Sequence, residues 1–214
     1  MKQKESIDLY LEEHFPNLVL KSPLFYNAQY SIRFELGGGK EISKGREEQV
    51  YHRAKTIFNS INSPHNDIFL IIFVDCWEEH PERLFNESIY NMFKNYIPSQ
   101  KLEISRTKHE YRYIEPDDID NTTITYRYCV KTEVSNIESE NFLIALSNQG
   151  MGLTPTIIGD VYFINTINNT IYHLYDDRGL DIVAEKLEVL KELYKKFNEW
   201  ILEFDRPRIN EMFT

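Results

Sequence analysis

Hydrophobic and polar positions change period several times along this chain, and each change marks an element. Residues 6–15 carry Ile7, Leu11 and Phe15 on one face and stop at Pro16, the pattern of a short helix. Residues 30–36, YSIRFEL, alternate instead, with Ile32, Phe34 and Leu36 on one side and Arg33 and Glu35 on the other, as in a half-buried strand. Helical spacing returns over 47–61 through Val50, Ala54, Ile57, Phe58 and Ile61. The run DIFLIIFVD, 67–75, has no polar interruption and predicts a strand covered on both faces. Pro81 then opens a second amphipathic helix with Leu84, Phe85, Ile89, Met92, Phe93 and Tyr96 as its inner stripe.

From Leu102 the period is two. LEISRTKHEYRYIE and TITYRYCVKTE flank the acidic loop EPDDID and predict neighbouring antiparallel strands, with Ile124, Tyr126 and Tyr128 opposed to Thr125, Arg127 and Cys129. A short helix over 139–147 closes at the glycines of 149–152. TIIGDVYFINT and TIYHLYD then surround Asn168 and Asn169, residues that tolerate positive φ in a tight hairpin. A long helix from about residue 185 places Leu187, Leu190, Leu193, Tyr194, Phe197, Trp200 and Ile201 on one face. This order predicts a single α+β domain over 1–214: a mixed or mainly antiparallel sheet covered by amphipathic helices, with a closing C-terminal helix.

Charge narrows the function classes. Against 24 basic residues stand 34 acidic ones, a net charge of −10, which argues against a phosphate backbone as partner and favours a basic protein. The same charge also serves solubility. Cys76 and Cys129 sit in apolar contexts without CxxC spacing, as in a reducing compartment. The first 15 residues carry charges throughout, and the run 68–74 is too short to span a bilayer, so a cytosolic location without membrane contact is expected. No motif calls for a cofactor, and the histidines show no zinc-ligand spacing.

Three stretches carry candidate chemistry. YDDRGLD, 175–181, sits between two alternating runs. As a turn, it has Asp176 and Asp177 accepting from the turn's own amides, Gly179 in a left-handed conformation, and Asp177 with Arg178 exposed at the tip. As a metal site, it would gather Asp176, Asp177 and Asp181 on one divalent ion for hydrolysis, with Asp75 or His80 as base, although adjacent residues of an extended segment point to opposite faces. VDCWEEH, 74–80, follows the most buried strand and brings Asp75, Cys76, Glu78, Glu79 and His80 close in sequence. A Cys beside a His can act as nucleophile, whereas Pro81 marks the same residues as a helix start. Arg33 and Glu35 share one strand face as a contact pair or as partners across the sheet. GGGK, 37–40, lacks the GxxxxGK[ST] spacing of a phosphate loop and reads as a turn.

FYNAQYSIRFELG, EQVYHRAKTIF, GDVYFIN, IYHLYDDRGLDIVA and YKKFNEWILEFDRPRI together resemble a bacterial family catalogued as domain of unknown function 3885, with IRFELG and YDDRG the most specific parts. The resemblance spans nearly the whole chain and implies one domain with no assigned activity. The final hairpin, strand and closing helix also resemble the end of the small SUKH-type immunity proteins that neutralise intercellular toxins, from which the middle, 102–131, departs as an insertion. These likenesses point to an acidic, non-enzymatic binding protein of immunity or antitoxin type. Arg33, Glu35, Asp176, Asp177, Arg178 and Asp181 are its expected contacts with a basic protein partner, its oligomeric state open. The alternative is a metal-dependent hydrolase built on the YDDRGLD carboxylates.

Overall fold

The structure, a computed structural model, describes residues 6–38, 45–76, 82–98, 102–113 and 123–214. The expectations placed on Gly39 and Lys40, on Glu78, Glu79, His80 and Pro81, on the acidic loop at 115–120, and on the side chains of Leu84 and Phe85 lie outside the described residues.

Seven strands form one sheet: β1 Ser31–Glu35, β2 Asp67–Cys76, β3 Ser105–Glu110, β4 Ile124–Glu133, β5 Asp160–Asn165, β6 Thr170–Asp176 and β7 Gly179–Ala184. Their spatial order is β1-β7-β6-β5-β2-β4-β3, and each neighbouring pair runs antiparallel. The helices are α1 Ile7–His14, α2 Leu24–Asn27, α3 Arg46–Ile61, α4 Glu82–Tyr96, α5 Ser139–Met151, α6 Leu187–Lys196 and α7 Arg206–Phe213. The α+β class with an antiparallel sheet and a C-terminal helix follows.

Two unequal layers cover the sheet. Ile68, Leu70, Ile72 and Val74 of β2 face a large core completed by α3, α5 and α6, while Phe69, Ile71 and Phe73 face a smaller one built by α1 and the segment after it. The alternation along β2 thus has no polar side because both faces are roofed. In the larger core Phe58 of α3 meets Phe163 and Tyr172 edge-on at 5.2 and 5.3 Å, contacts worth about 0.5–1.5 kcal/mol each beyond area burial. In the smaller layer Ser6 caps α1 by accepting from the Asp8 amide. Asp8 in turn receives both Nη groups of Arg127, which ties α1 to β4.

Two expectations change. The stripe from Leu187 to Ile201 is not one helix: α6 ends at Lys196, a 3-10 turn covers Asn198–Trp200, and Ile201 forms a bridge to Phe34 of β1. The Leu202 amide then donates to the Arg33 carbonyl at 3.0 Å. Pairing with the exposed edge of β1 outweighs continuation of the helix, and it protects that edge. Nor is β1 half-buried. Ser31 and Arg33, on the side expected to face water, are buried at 1% and 7% exposure. The smaller layer covers them, and Arg33 is tolerated there because it finds a carboxylate.

Candidate functional site

On the smaller-layer face, register aligns polar residues across four strands. Arg33 lies opposite Asp181, Asp181 opposite His173, and the His173 ring stacks on Tyr162 at 4.2 Å. Arg33 gives Nε and Nη2 to the two oxygens of Asp181 at 2.7 and 2.8 Å, and the Phe25 amide donates to the same carboxylate at 2.9 Å. The rings of Phe25, Tyr26 and Tyr175 surround the guanidinium with centroids 5.0–5.3 Å away. Burial works against the charge of Arg33. The two hydrogen bonds to Asp181 and its charge, with Tyr175 and Asp205 beside them, outweigh burial and hold the arginine protonated. His173 is fully buried and among the described residues neither ring nitrogen has a hydrogen-bond partner, so burial lowers its pKa and keeps it neutral.

Where β6 turns into β7, two more arginine–aspartate pairs flank this row. Asp177 is 8% exposed and accepts Nε and Nη2 of Arg46 at 3.1 and 2.6 Å, while Arg46 Nη1 reaches the Gly38 carbonyl at 3.2 Å. Asp176 accepts the Arg178 amide on Oδ1 at 2.8 Å and Arg178 Nε and Nη2 on Oδ2 at 2.9 and 2.6 Å. The Arg178 carbonyl accepts the Leu36 amide, so the turn is fastened to the end of β1.

Three glycines make room for this cluster. A Cβ on Gly37 would strike the guanidinium of Arg46, one on Gly150 of α5 would strike Asp177 Oδ1, and one on Gly179 would strike the Tyr175 hydroxyl and stand 2.6 Å from the Phe34 carbonyl oxygen. Gly179 is therefore required by close approach. Its φ is not in the left-handed region, contrary to the expectation for the turn, because a register shift between Leu174 and Asp176 bends the hairpin instead.

The pairs border an open cleft of about 520 Å³ between the β6–β7 turn, the end of β1 and the segment before α2. Arg33, Glu35, Arg46, Tyr175 and Arg178 line it, with Leu202 on its apolar part. Tyr175 is driven by burial, and next by the charge of Asp181, to hold its proton, which leaves its hydroxyl a donor.

All six sequence candidates thus meet at one place, in two roles. Arg33, Glu35 and Arg178 line the cleft, whereas Asp181, Asp177 and Asp176 hold arginines. Asp177 does not stand exposed at the tip; its partner Arg46 comes from a helix start that the hairpin's own sequence does not announce. The shared metal site fails on geometry, because the three carboxylates turn to three different guanidinium groups. Among the described residues no cluster of three or more His, Cys, Asp or Glu side chains is placed to hold a metal ion. Asp75 accepts from Thr125 at 2.5 Å on β2, separated from β7 by β5 and β6. Cys129 is buried, which pushes its thiol up to about 12, and neither cysteine is in a disulfide.

Arg46, Tyr175 and His173 were missed by sequence reasoning, yet each left a signal. A cation in the first turn of a helix opposes the helix dipole and asks for a tertiary partner. His173 and Tyr175 sit at inward positions of an otherwise apolar alternation.

A family model described as "Domain of unknown function (DUF3885)" matches residues 7–205, a span that includes both layers and the whole cleft. The chain belongs to the DUF3885 family. A relative of this DUF3885 protein, the "Uncharacterized protein YnaE" of Bacillus subtilis (strain 168), is 24% identical over 211 residues, covering 91% of this chain and 96% of its own length. No solved structure matches significantly. Among the described residues no helix is long and apolar enough to cross a membrane.

Proposed function

We propose that this DUF3885 protein is a binding protein, acting in the cytosol, and that the arginine–aspartate cleft is its contact site. Its partner is a basic protein, in the manner of an immunity protein neutralising a toxin. The observation that carries the reading is the convergence of Glu35, Tyr175, Arg33 and Arg178 on one open cleft, with buried Asp181 fixing Arg33 from behind and partly exposed Asp176 pairing with Arg178. Rigid side chains lose little entropy on binding, and a tyrosine beside arginines is the chemistry that dominates protein interfaces. The net charge of −10 supports a cationic partner by long-range attraction, and Glu35 and Asp176 are the carboxylates that remain reachable.

The test is co-expression with the basic product of a neighbouring gene, scoring rescue of growth and co-purification at low and high salt. Wild type should rescue and co-purify, more weakly as salt rises; Glu35→Lys should lose both while keeping its circular dichroism. Undiminished rescue by Glu35→Lys together with Arg178→Glu would remove the cleft from the interface.

A further inference from the structure

We infer that the cleft is built for a bipolar group: an extended partner segment that brings a carboxylate to the open edges of Arg33 and Arg178 and, two residues along, an arginine or lysine to Glu35. This rests on the reading above that the cleft is the contact site.

Arg33, buried, and Arg178, exposed, use the same donors on their aspartates. Each gives Nε and Nη2 to one aspartate, and among the described residues each keeps Nη1 without a hydrogen bond. The carboxylate oxygen nearest Arg33 Nη1, Asp205 Oδ2, is 3.8 Å away, beyond hydrogen-bond distance. Arg46 differs, since its Nη1 is engaged by Gly38, so it closes the wall of the cleft. A guanidinium clamped from behind presents its remaining N–H groups in fixed directions, the geometry that suits a carboxylate.

Glu35 is the complement. Its backbone carbonyl accepts Arg53 Nη1 at 2.9 Å, but among the described residues its carboxylate has no hydrogen bond or ion pair. It leans over Gly38, where a Cβ would stand 4.0 Å from Oε2. Three aspartates pair with the three arginines one for one; among the described residues Glu35 is the further carboxylate on the lining, with the charge of Arg53 behind it but no ion pair to it. A purely anionic ligand would meet Glu35, and a purely cationic one would meet the guanidinium edges. A group with both signs satisfies both.

Spacing selects the form of that group. Arg33 and Glu35 are two apart on one strand face, about 7 Å along the chain, and an extended partner has the same repeat between side chains i and i+2. A cleft of about 520 Å³ accommodates two such charged heads.

The test uses blocked pentapeptides, Gly-Arg-Ser-Glu-Gly and its reverse order, with versions in which Gln replaces the Arg or the Glu, titrated into the full chain by calorimetry. The better bipolar peptide should bind at least about tenfold more tightly than either Gln version, about 1.4 kcal/mol. Arg178→Gln should abolish the advantage of the Glu, and Glu35→Gln the advantage of the Arg, each without weakening the peptide that already lacks the matching charge. Neither substitution touches the core, so melting temperatures should stay near that of wild type.

Equal affinity for all the peptides, no saturable binding at millimolar concentration, selectivity unmoved in the two variants, or free L-arginine binding as tightly as the peptide would each overturn the inference. Peptide selectivity without rescue in co-expression would instead sink the toxin-partner reading alone. Rescue lost in Glu35→Lys but without peptide selectivity would sink this inference and leave that reading standing.

Discussion

The two ends of β6 are both polar turns rich in Asn or Asp, and they differ in what they leave unfilled. At the start of the strand, Asn165 Oδ1 accepts the amides of Ile167 and Asn168, and its Nδ2 points at Ile61 O, Asn62 and Asn66 at 2.9–3.0 Å. Asn169, with φ at 51°, accepts from the Tyr10 hydroxyl at 2.6 Å and donates to Glu185 at 2.7 Å. That end is closed by the rest of the protein. At the far end, the aspartates are engaged, but among the described residues Arg33, Arg178 and Glu35 keep charged atoms with no hydrogen bond on a cleft. One end of the strand holds the fold together, and the other offers hydrogen-bonding groups outward.

Five experiments break or sharpen that contrast, from the largest effect to the smallest. Asp181→Ala should be worst, at about 3–5 kcal/mol in urea unfolding, because it strands the buried guanidinium of Arg33 without its partner. A loss under about 1 kcal/mol would mean that water reaches Arg33 and the clamp is not needed. Asn165→Ala should cost about 3 kcal/mol by the same measurement, through several buried bonds lost at once at the closed end.

Gly179→Ala should cost about 2 kcal/mol despite its ordinary φ, since the new methyl overlaps the Tyr175 hydroxyl. Tyr175→Phe in the same chain should recover part of that loss, which a strained backbone would not allow.

The fourth experiment concerns pH. Burial lowers the pKa of His173 below the ordinary value of about 6.5, so between the two values the unfolded chain binds the extra proton. Its contribution to stability is complete above about pH 6.5 and is lost as pH falls, at no more than about 1.4 kcal/mol per pH unit. His109 is lowered in the same direction by burial, with the charge of Arg127 next, and therefore adds to the same window. The comparison is best made in a His109→Gln background, where His173→Phe should flatten the slope between about pH 7 and 5.5. Asp8, held down chiefly by Arg127, and Glu185, held down chiefly by Asn169, act lower, below about pH 4.5. The smallest effect belongs to Arg178→Gln. Its pair with Asp176 is surface-exposed, so stability should move by less than about 0.5 kcal/mol while the peptide preference changes.

The two turns also differ in how far sequence alone described them. Asn168 and Asn169 announced a tight hairpin, and positive φ at Asn169 bears this out, because the requirement is local to the backbone. YDDRG announced a turn too, and β6 and β7 do meet there. Its Gly179, however, answers to a tyrosine hydroxyl and a neighbouring strand rather than to φ, and Asp177 answers to an arginine 131 residues earlier. The cleft followed the same division: its residue types were visible in the chain, their pairing was not.

Periodicity is a property of neighbouring residues, so the sequence by itself determined most of the strands, the amphipathic helices over α3 and α6 and the α+β class. The net charge and the family resemblance were equally readable from it. Only the tertiary structure decided which charges cancel. Arg33 pairs with Asp181 across 148 residues, Arg46 reaches Asp177, and the stripe after Lys196 leaves its helix to close the edge of β1. An ion pair or a sheet edge is satisfied by whatever the fold brings within about 3 Å, and no spacing along the chain encodes that distance.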